Sequence, residues 1–428
     1  MRLQRTLAVV LLAELLLSIV LVVCMAVSSP INAHPDEMLH VLAADYFREH
    51  WLPPAVGAPA QAGAYSKYGV SYLDFGEIVY WVLGKAAAVG GLFGTTPPAS
   101  MRAFQVLLYA VLVVWILVRA TTFPPALGFL VLTPQVWYVF SYVNSDALPL
   151  ALLTGLLLEL GWPESGMRAF LRGGRARPTA GVFAVGGLLG LLVVSKLNYL
   201  VSLAFVGGIL VWRARDTTHW KRLAIPVMVA VAIAVPWSFY HAWINDFETG
   251  TRAVEYAEKV AAPDLKPSTY ASPNSFPYIA LRAKGVPLWT LLTRLDWPGL
   301  SFRSFSGLYG WMSIAAVPWV YRVFGVLDVA LLAILVLPVA VRGPRSARLL
   351  LLGVLACAAL VIAQSLHRSW TFDFQAQGRY LFPILPMLFF YWRRCEEQAL
   401  RAPALLVAAS LGALSLFSFA LIGLANLT

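Results

Sequence analysis

Asn32-Ala-His-Pro-Asp-Glu-Met-Leu-His40, continuing through Asp45-Tyr-Phe-Arg-Glu-His-Trp-Leu-Pro-Pro54, is the polar stretch on which the reading of this chain turns. It follows directly on an apolar run over residues 7–27, long enough to cross a bilayer, and so marks where the chain leaves the membrane for water. Pro35 suits the first turn of a helix, where its missing N–H is no loss. Asp36 and Glu37 then lie near the positive end of that helix, which favours their ionised forms. Asp36 and His40 stand four apart and share a face. A solvated capping segment after a membrane helix fits the same spacing.

Hydrophobic residues make up 60% and charged residues 12% of the 428, and the mean hydropathy is +0.73. That excludes an ordinary soluble domain and defines an all-α polytopic membrane protein. The net charge of +11 invites a nucleic-acid partner. The basic residues, however, lie between apolar runs, where they set topology instead. Cys24, Cys357 and Cys395 are unclustered, which suggests neither a disulfide framework nor a zinc site. Arg2 and Arg5 before the first run resemble a signal peptide's start, but the run is long and lacks a clear cleavage site. It is read as a retained span with a cytoplasmic amino terminus.

About eleven spans follow from the hydropathy, over residues 7–27, 104–118, 126–143, 147–160, 181–194, 200–212, 223–243, 315–341, 349–366, 380–392 and 404–424. The eighth is expected to tilt or break at Pro318 and Gly325. Residues 72–93 carry Asp74, Glu77, Lys85 and several glycines; they are read as a re-entrant or surface-lying amphipathic helix. The strongly basic short loops, at Arg168–Arg177, Arg213–Arg222 and Arg342–Arg348, then fall on one side. The chain reads as a single transmembrane domain over 1–428. Its first external loop is 30–102, with amphipathic juxtamembrane helices, and 244–311 forms a long external loop.

Four polar clusters reach the external face on this topology: His34–His40, Asn144–Asp146, Ser195–Asn198 and Gln375–Arg379. Each ends an apolar span, where an ionisable group is a functional candidate. Together they offer carboxylates at Asp36, Glu37 and Asp146 and cations at Lys196 and Arg379. Such a set suits group transfer from a lipid-linked phosphate to a hydroxyl. A carboxylate takes the hydroxyl proton; the cations hold the departing phosphate.

The apolar span followed by Pro35-Asp-Glu-Met-Leu-His40 and then Trp51-Leu-Pro resembles the first external loop of the GT-C superfamily of polytopic glycosyltransferases. More specifically it resembles a bacterial family of predicted membrane proteins. That likeness is also carried by Val143-Asn-Ser-Asp-Ala-Leu148, Ser195-Lys-Leu-Asn-Tyr199, Phe305-Ser-Gly-Leu-Tyr-Gly-Trp311 and Gln377-Gly-Arg-Tyr-Leu-Phe-Pro383. The resemblance implies a GT-C-like fold and a polyprenyl-phosphate sugar donor. It implies a glycan or lipid acceptor and an active site on the outer face of a bacterial inner membrane. It further implies Asp36 as the base with Glu37 beside it, Asp146 as a second acid, and Lys196 and Arg379 as donor-phosphate contacts. Many relatives carry a soluble carboxyl-terminal domain; none is expected here, so acceptor recognition falls to 244–311 and the first loop.

Each residue also has a plainer reading. Asp146 suits the N-cap of a helix beginning at Ala147. Lys196 suits an interface residue that snorkels, and Arg379 a helix flank paired with Asp373. His34 and His40 with Asp36 offer metal-ligand types, but His-x-Asp-x-x-x-His is no established zinc signature, and the reading requires no metal or other cofactor. Tyr309, Trp311 and Tyr380 suit sugar or lipid contacts, although the first two suit interface anchors better. A transporter of lipid-linked sugars, or a non-catalytic subunit of an envelope-polymer assembly, remains an alternative on the same residues. Transporters often show internal repeats and charges near mid-membrane. Here no repeat is visible and the charges gather at one face.

Overall fold

The computed structural model describes residues 2–427 except 121–128, 163–164, 174–176, 216–218, 273–274 and 396–400. In chain order the α-helices are α1 (Arg2–Ser28), α2 (Glu37–Glu49), α3 (Ile78–Gly91), α4 (Pro97–Ala120), α5 (Pro134–Val139) and α6 (Ala147–Gly161). Then come α7 (Gly166–Leu171), α8 (Ala180–Val193), α9 (Leu200–Arg215), α10 (Ala224–Trp243), α11 (Thr249–Val260), α12 (Leu288–Thr293) and α13 (Trp297–Gly307). The last are α14 (Pro318–Arg342), α15 (Arg345–Thr371), α16 (Ile384–Arg394) and α17 (Arg401–Phe417), which a π-helical turn, Ser418–Leu424, extends. The two paired strands are a two-residue ladder, Leu308–Tyr309 with Ile314–Ala315.

The class is all-α and polytopic. Among the described residues seven helices are long and apolar enough to cross a membrane: α1, α4, α9, α10, α14, α15 and α17. Their outward faces are apolar, as lipid requires. On α10 Val227, Val231, Val235 and Phe239 recur every four residues and are exposed.

The other four expected spans differ. α6 and α8, of 15 and 14 residues, are shorter apolar helices. At 1.5 Å per residue they reach about 21–23 Å, short of a hydrocarbon core of ~30 Å. All 15 residues of α6 are buried, so its all-round hydrophobicity meets protein instead of lipid. The stretch expected as a span over 126–143 is not one helix in its described part. It holds a 3-10 turn, Phe129–Val131, and the six-residue α5, started by Pro134 after the Thr133 cap. Irregular backbone at this depth is tolerated only inside protein, and residues 130–150 are buried throughout. The stretch over 380–392 likewise becomes a 3-10 turn, Gly378–Leu381, and the 11-residue α16. α14, expected to break, runs unbroken from Pro318, which sits in the first turn where its missing N–H is harmless.

Residues 72–93 form a 3-10 turn, Tyr72–Phe75, and α3, packed against α2 and α4. Of the expected long loop 244–311, α11, α12 and α13 order a large part. α8 meets α10 through Gly186 and Gly190, where added Cβ atoms would press on the backbone at Pro226 and Ala230. This small-xxx-small contact brings two helix backbones together and fixes the turn that follows α8, which carries Ser195–Asn198.

Candidate functional site

The chain bends from α1 into α2 through residues whose polar groups are fully engaged. Arg102 of α4 donates to both oxygens of Glu37, Nε to Oε1 and Nη2 to Oε2, each at 2.7 Å. Its remaining donors reach the carbonyls of Ala26 (3.0 Å), Ser29 (2.8 Å) and Pro30 (3.1 Å), so one guanidinium caps the end of α1. Glu37 also accepts from the backbone N–H groups of Asn32 (2.9 Å) and Val143 (3.1 Å). Its side chain is 0% exposed. Glu37, expected beside the base in the reacting set, is therefore a buried lock joining α1, α2, α4 and the 142–146 turn. It does not line the cavity described below.

Asp36 precedes α2 in the left-handed region (φ 57°), a conformation that aspartate tolerates better than most residues. Pro35 thus stands outside the helix instead of in its first turn. The Asp36 carboxylate turns away from Glu37 and accepts from Tyr72 Oη at 3.2 Å. It lines a cavity of about 960 Å³ whose walls also include His40, Glu77, Lys196, Asn198, Asp373, Arg379 and Tyr380. Asp36 and Lys196 thus face one space.

Asp146 is completely buried and outside that lining. Its Oδ1 receives Lys196 Nζ at 2.6 Å, and Oδ2 lies 3.7 Å from Arg379 Nε. It does not cap α6; Asn144 Oδ1 does so, accepting from the N–H groups of Asp146 (2.8 Å) and Ala147 (3.2 Å). Asp146, expected as a second reacting acid, is placed as the counter-ion behind two cations. Arg379 donates to Tyr142 Oη at 3.3 Å and lies 5.6 Å from the Tyr380 ring centre, with Lys196 Nζ 5.8 Å from the same ring. The alternative pairing of Arg379 with Asp373 is not what forms: Asp373 accepts from Gln375 instead.

Arg379 owes its place to Gly378, at which a Cβ would overlap the backbone of Phe305 on α13. Gly378→Ala is expected to lower stability by about 1–3 kcal/mol as the strand of chain is pushed off α13. An unchanged thermal midpoint would show that the contact is slack.

The two histidines separate. His34 bonds Ser29 Oγ and Tyr138 Oη, both at 2.8 Å, and stacks on Tyr142, away from the cavity. His40 bonds Tyr80 Oη at 2.8 Å and stacks on Tyr72 (4.1 Å between ring centres) with one edge on the cavity. Among the described residues the His34, Asp36, His40 spacing does not become a ligand set. Burial, helped by Arg102, pushes His34 down to about 3; burial and then Arg379 and Lys196 push His40 well below the ordinary imidazole value. A base whose folded pKa lies below its unfolded one binds fewer protons when folded. Its stabilising neutral form is whole above about pH 6.5 and lost as pH falls below that. Acidification from pH 6.5 to 5 should cost about 2 kcal/mol at His34, read as the difference in that pH response between the wild type and a His34→Gln variant, because Glu77, raised to about 7, shifts stability the other way over the same range. An identical pH response in the two proteins would overturn the assignment.

Of the aromatic candidates, Tyr380 and the half-exposed Trp311 line the cavity, with Trp311 Nε1 donating to Asn32 O at 2.8 Å. Tyr309 does not. It is buried against Tyr138 and Phe419 and bonds Ser418 Oγ at 3.0 Å, a core residue and no ligand contact. Arg102, Glu77 and Asp373 escaped the sequence reading as site components. Glu77 lines the cavity at the start of α3, where burial lifts its carboxyl to about 7 against the pull of Lys196. Burial also raises Asp373, with Asp36 adding to the effect. Only the charges that interrupt the apolar stretch 72–93 hinted that an acid there has a place to go.

A polytopic all-α membrane protein with a polar cavity lined by both carboxylates and cations is what these elements define. The chain belongs to the family described as predicted membrane protein (DUF2142), which matches residues 58–388. No curated protein matches it. A solved structure, ArnT from Cupriavidus metallidurans bound to undecaprenyl phosphate, is 16% identical. The match covers 95% of this chain and 77% of that one, with a TM-score of 0.37.

Proposed function

We propose that the protein is a membrane glycosyltransferase that moves a sugar from a polyprenyl phosphate to a hydroxyl of an envelope glycan or lipid. One observation carries the reading: the Asp36 carboxylate and the cations Lys196 and Arg379 line a single cavity, and the cations are backed by the buried Asp146. The acceptor hydroxyl gives its proton to Asp36 as its oxygen bonds to the anomeric carbon. The bond from that carbon to the phosphate oxygen breaks, and the electron pair leaves with the lipid phosphate. Lys196 and Arg379 stabilise that charge as it develops. A single in-line displacement inverts the anomeric centre. The apolar Leu197 and Val361 on the same lining suit a prenyl chain arriving sideways from the bilayer.

The positive-inside bias of the basic loops supports an outer-face position for this cavity in a bacterial inner membrane. The reading needs no metal, because a lipid monophosphate donor brings no diphosphate to bridge. In proteoliposomes, radiolabelled sugar from polyprenyl-phosphate donors should pass to glycan or lipid acceptors only when the protein is present. Failure across a panel of donors, with the protein shown to be folded, would reject the proposal. Movement of intact lipid across the bilayer without sugar transfer would favour a translocase instead.

A further inference from the structure

Beside Lys196, one part of the cavity wall carries polar atoms that are withdrawn from solvent and have no hydrogen-bond partner. They are Glu77 Oε2, both Oδ1 and Nδ2 of Asn198, Gln364 Oε1 and Ser365 Oγ. All four residues line the cavity. They are also held round one short segment. Ile78, next to Glu77, donates its N–H to Val194 O at 2.9 Å, and Gln364 Nε2 reaches Leu197 O at 3.4 Å. Lys196 lies between these anchors and is fixed on Asp146.

Buried polar atoms in native proteins are nearly always paired, so a cluster of orphans on a cavity wall marks a place for a polar ligand. The chemistry of the set selects that ligand. Three of the atoms are acceptors, one is an amide donor, and the serine hydroxyl serves either way. A phosphate offers only acceptors and an acyl chain offers neither. A polyol offers donors and acceptors together.

We infer that Glu77, Asn198, Gln364 and Ser365 form the subsite for the hydroxyl groups of the donor sugar, immediately beside the phosphate-holding cations. This rests on the reading of the cavity as a lipid-phosphate sugar site and adds which wall grips the sugar. The part of the lining that carries Asp36 and Trp311 is left to the acceptor. Placing the sugar here orients its anomeric carbon between Lys196 and Asp36, as an in-line attack requires.

The test uses the full chain in nanodiscs with two kinds of probe, undecaprenyl phosphate and undecaprenyl-phosphate-linked glucose, galactose and mannose. The wild type should bind at least one glycosylated lipid tighter than the bare lipid. Asn198→Ala, Gln364→Leu and Ser365→Ala should each remove roughly three- to tenfold of that gain. Binding of the bare lipid should stay within about twofold, which also reports that the variants are folded. If the wild type binds bare and glycosylated lipids equally, the sugar subsite is wrong while the lipid-phosphate reading stands. If the variants lose bare lipid to the same degree, the wall holds phosphate or framework and the inference again falls. If the wild type binds none of the probes, the underlying reading falls with it.

Discussion

Asp36→Asn should abolish sugar transfer, lowering the rate by two to four orders of magnitude, the usual worth of a positioned general base. The amide keeps the shape and the hydrogen bond from Tyr72 but cannot take a proton. Binding of the bare lipid phosphate should survive, because Lys196 and Arg379 are unaltered and Asp146 still holds them. Transfer activity and lipid affinity measured on the same preparation give the split. Normal transfer by Asp36→Asn would remove the base. Normal transfer with impaired lipid translocation would point to a carrier, and no change in either to a scaffold.

The second large effect is on folding. Arg102→Met or Glu37→Gln should each destabilise the protein by about 3–5 kcal/mol, since each leaves the partner charge buried and alone. Arg102→Met also uncaps the carbonyls at the end of α1. A Glu37→Gln, Arg102→Met double variant should recover part of the loss, because no unpaired charge remains. Thermal unfolding in detergent would measure all three. A single variant within about 0.5 kcal/mol of wild type would show that the pair is not what fastens α1 to α2 and α4.

The class was legible because a long apolar run has few readings, and the spans at α1, α4, α9, α10, α14, α15 and α17 are such runs. The breaks were not. Residues 126–143 have the hydropathy of a span, but 130–143 are buried in the protein interior, and hydropathy cannot tell lipid from a neighbouring helix. Asp36, Lys196 and Arg379 could be brought to one face from the sequence because each stands at the end of an apolar run, and such ends gather at one level. Glu37 looked like Asp36's partner in chemistry because adjacency hides direction. The left-handed backbone at Asp36 sends the two carboxylates to different places. Nothing in the local sequence announces that Arg102, 65 positions away, will occupy Glu37. Tyr309 and Trp311 show the same limit, since of two residues in one motif one is buried in the strand and the other is half-exposed in the turn that follows it.

Asp146 has a consequence for turnover. A pair of cations in so dry a place would, if left without a counter-charge, cling to any anion that reached them. With one carboxylate permanently at their back the two cations carry a single net positive charge before a headgroup arrives, and they return to that condition when it departs. Departure therefore strands one positive charge instead of two in a poor solvent, and a protein wired this way is suited to repeated cycles rather than to tight capture.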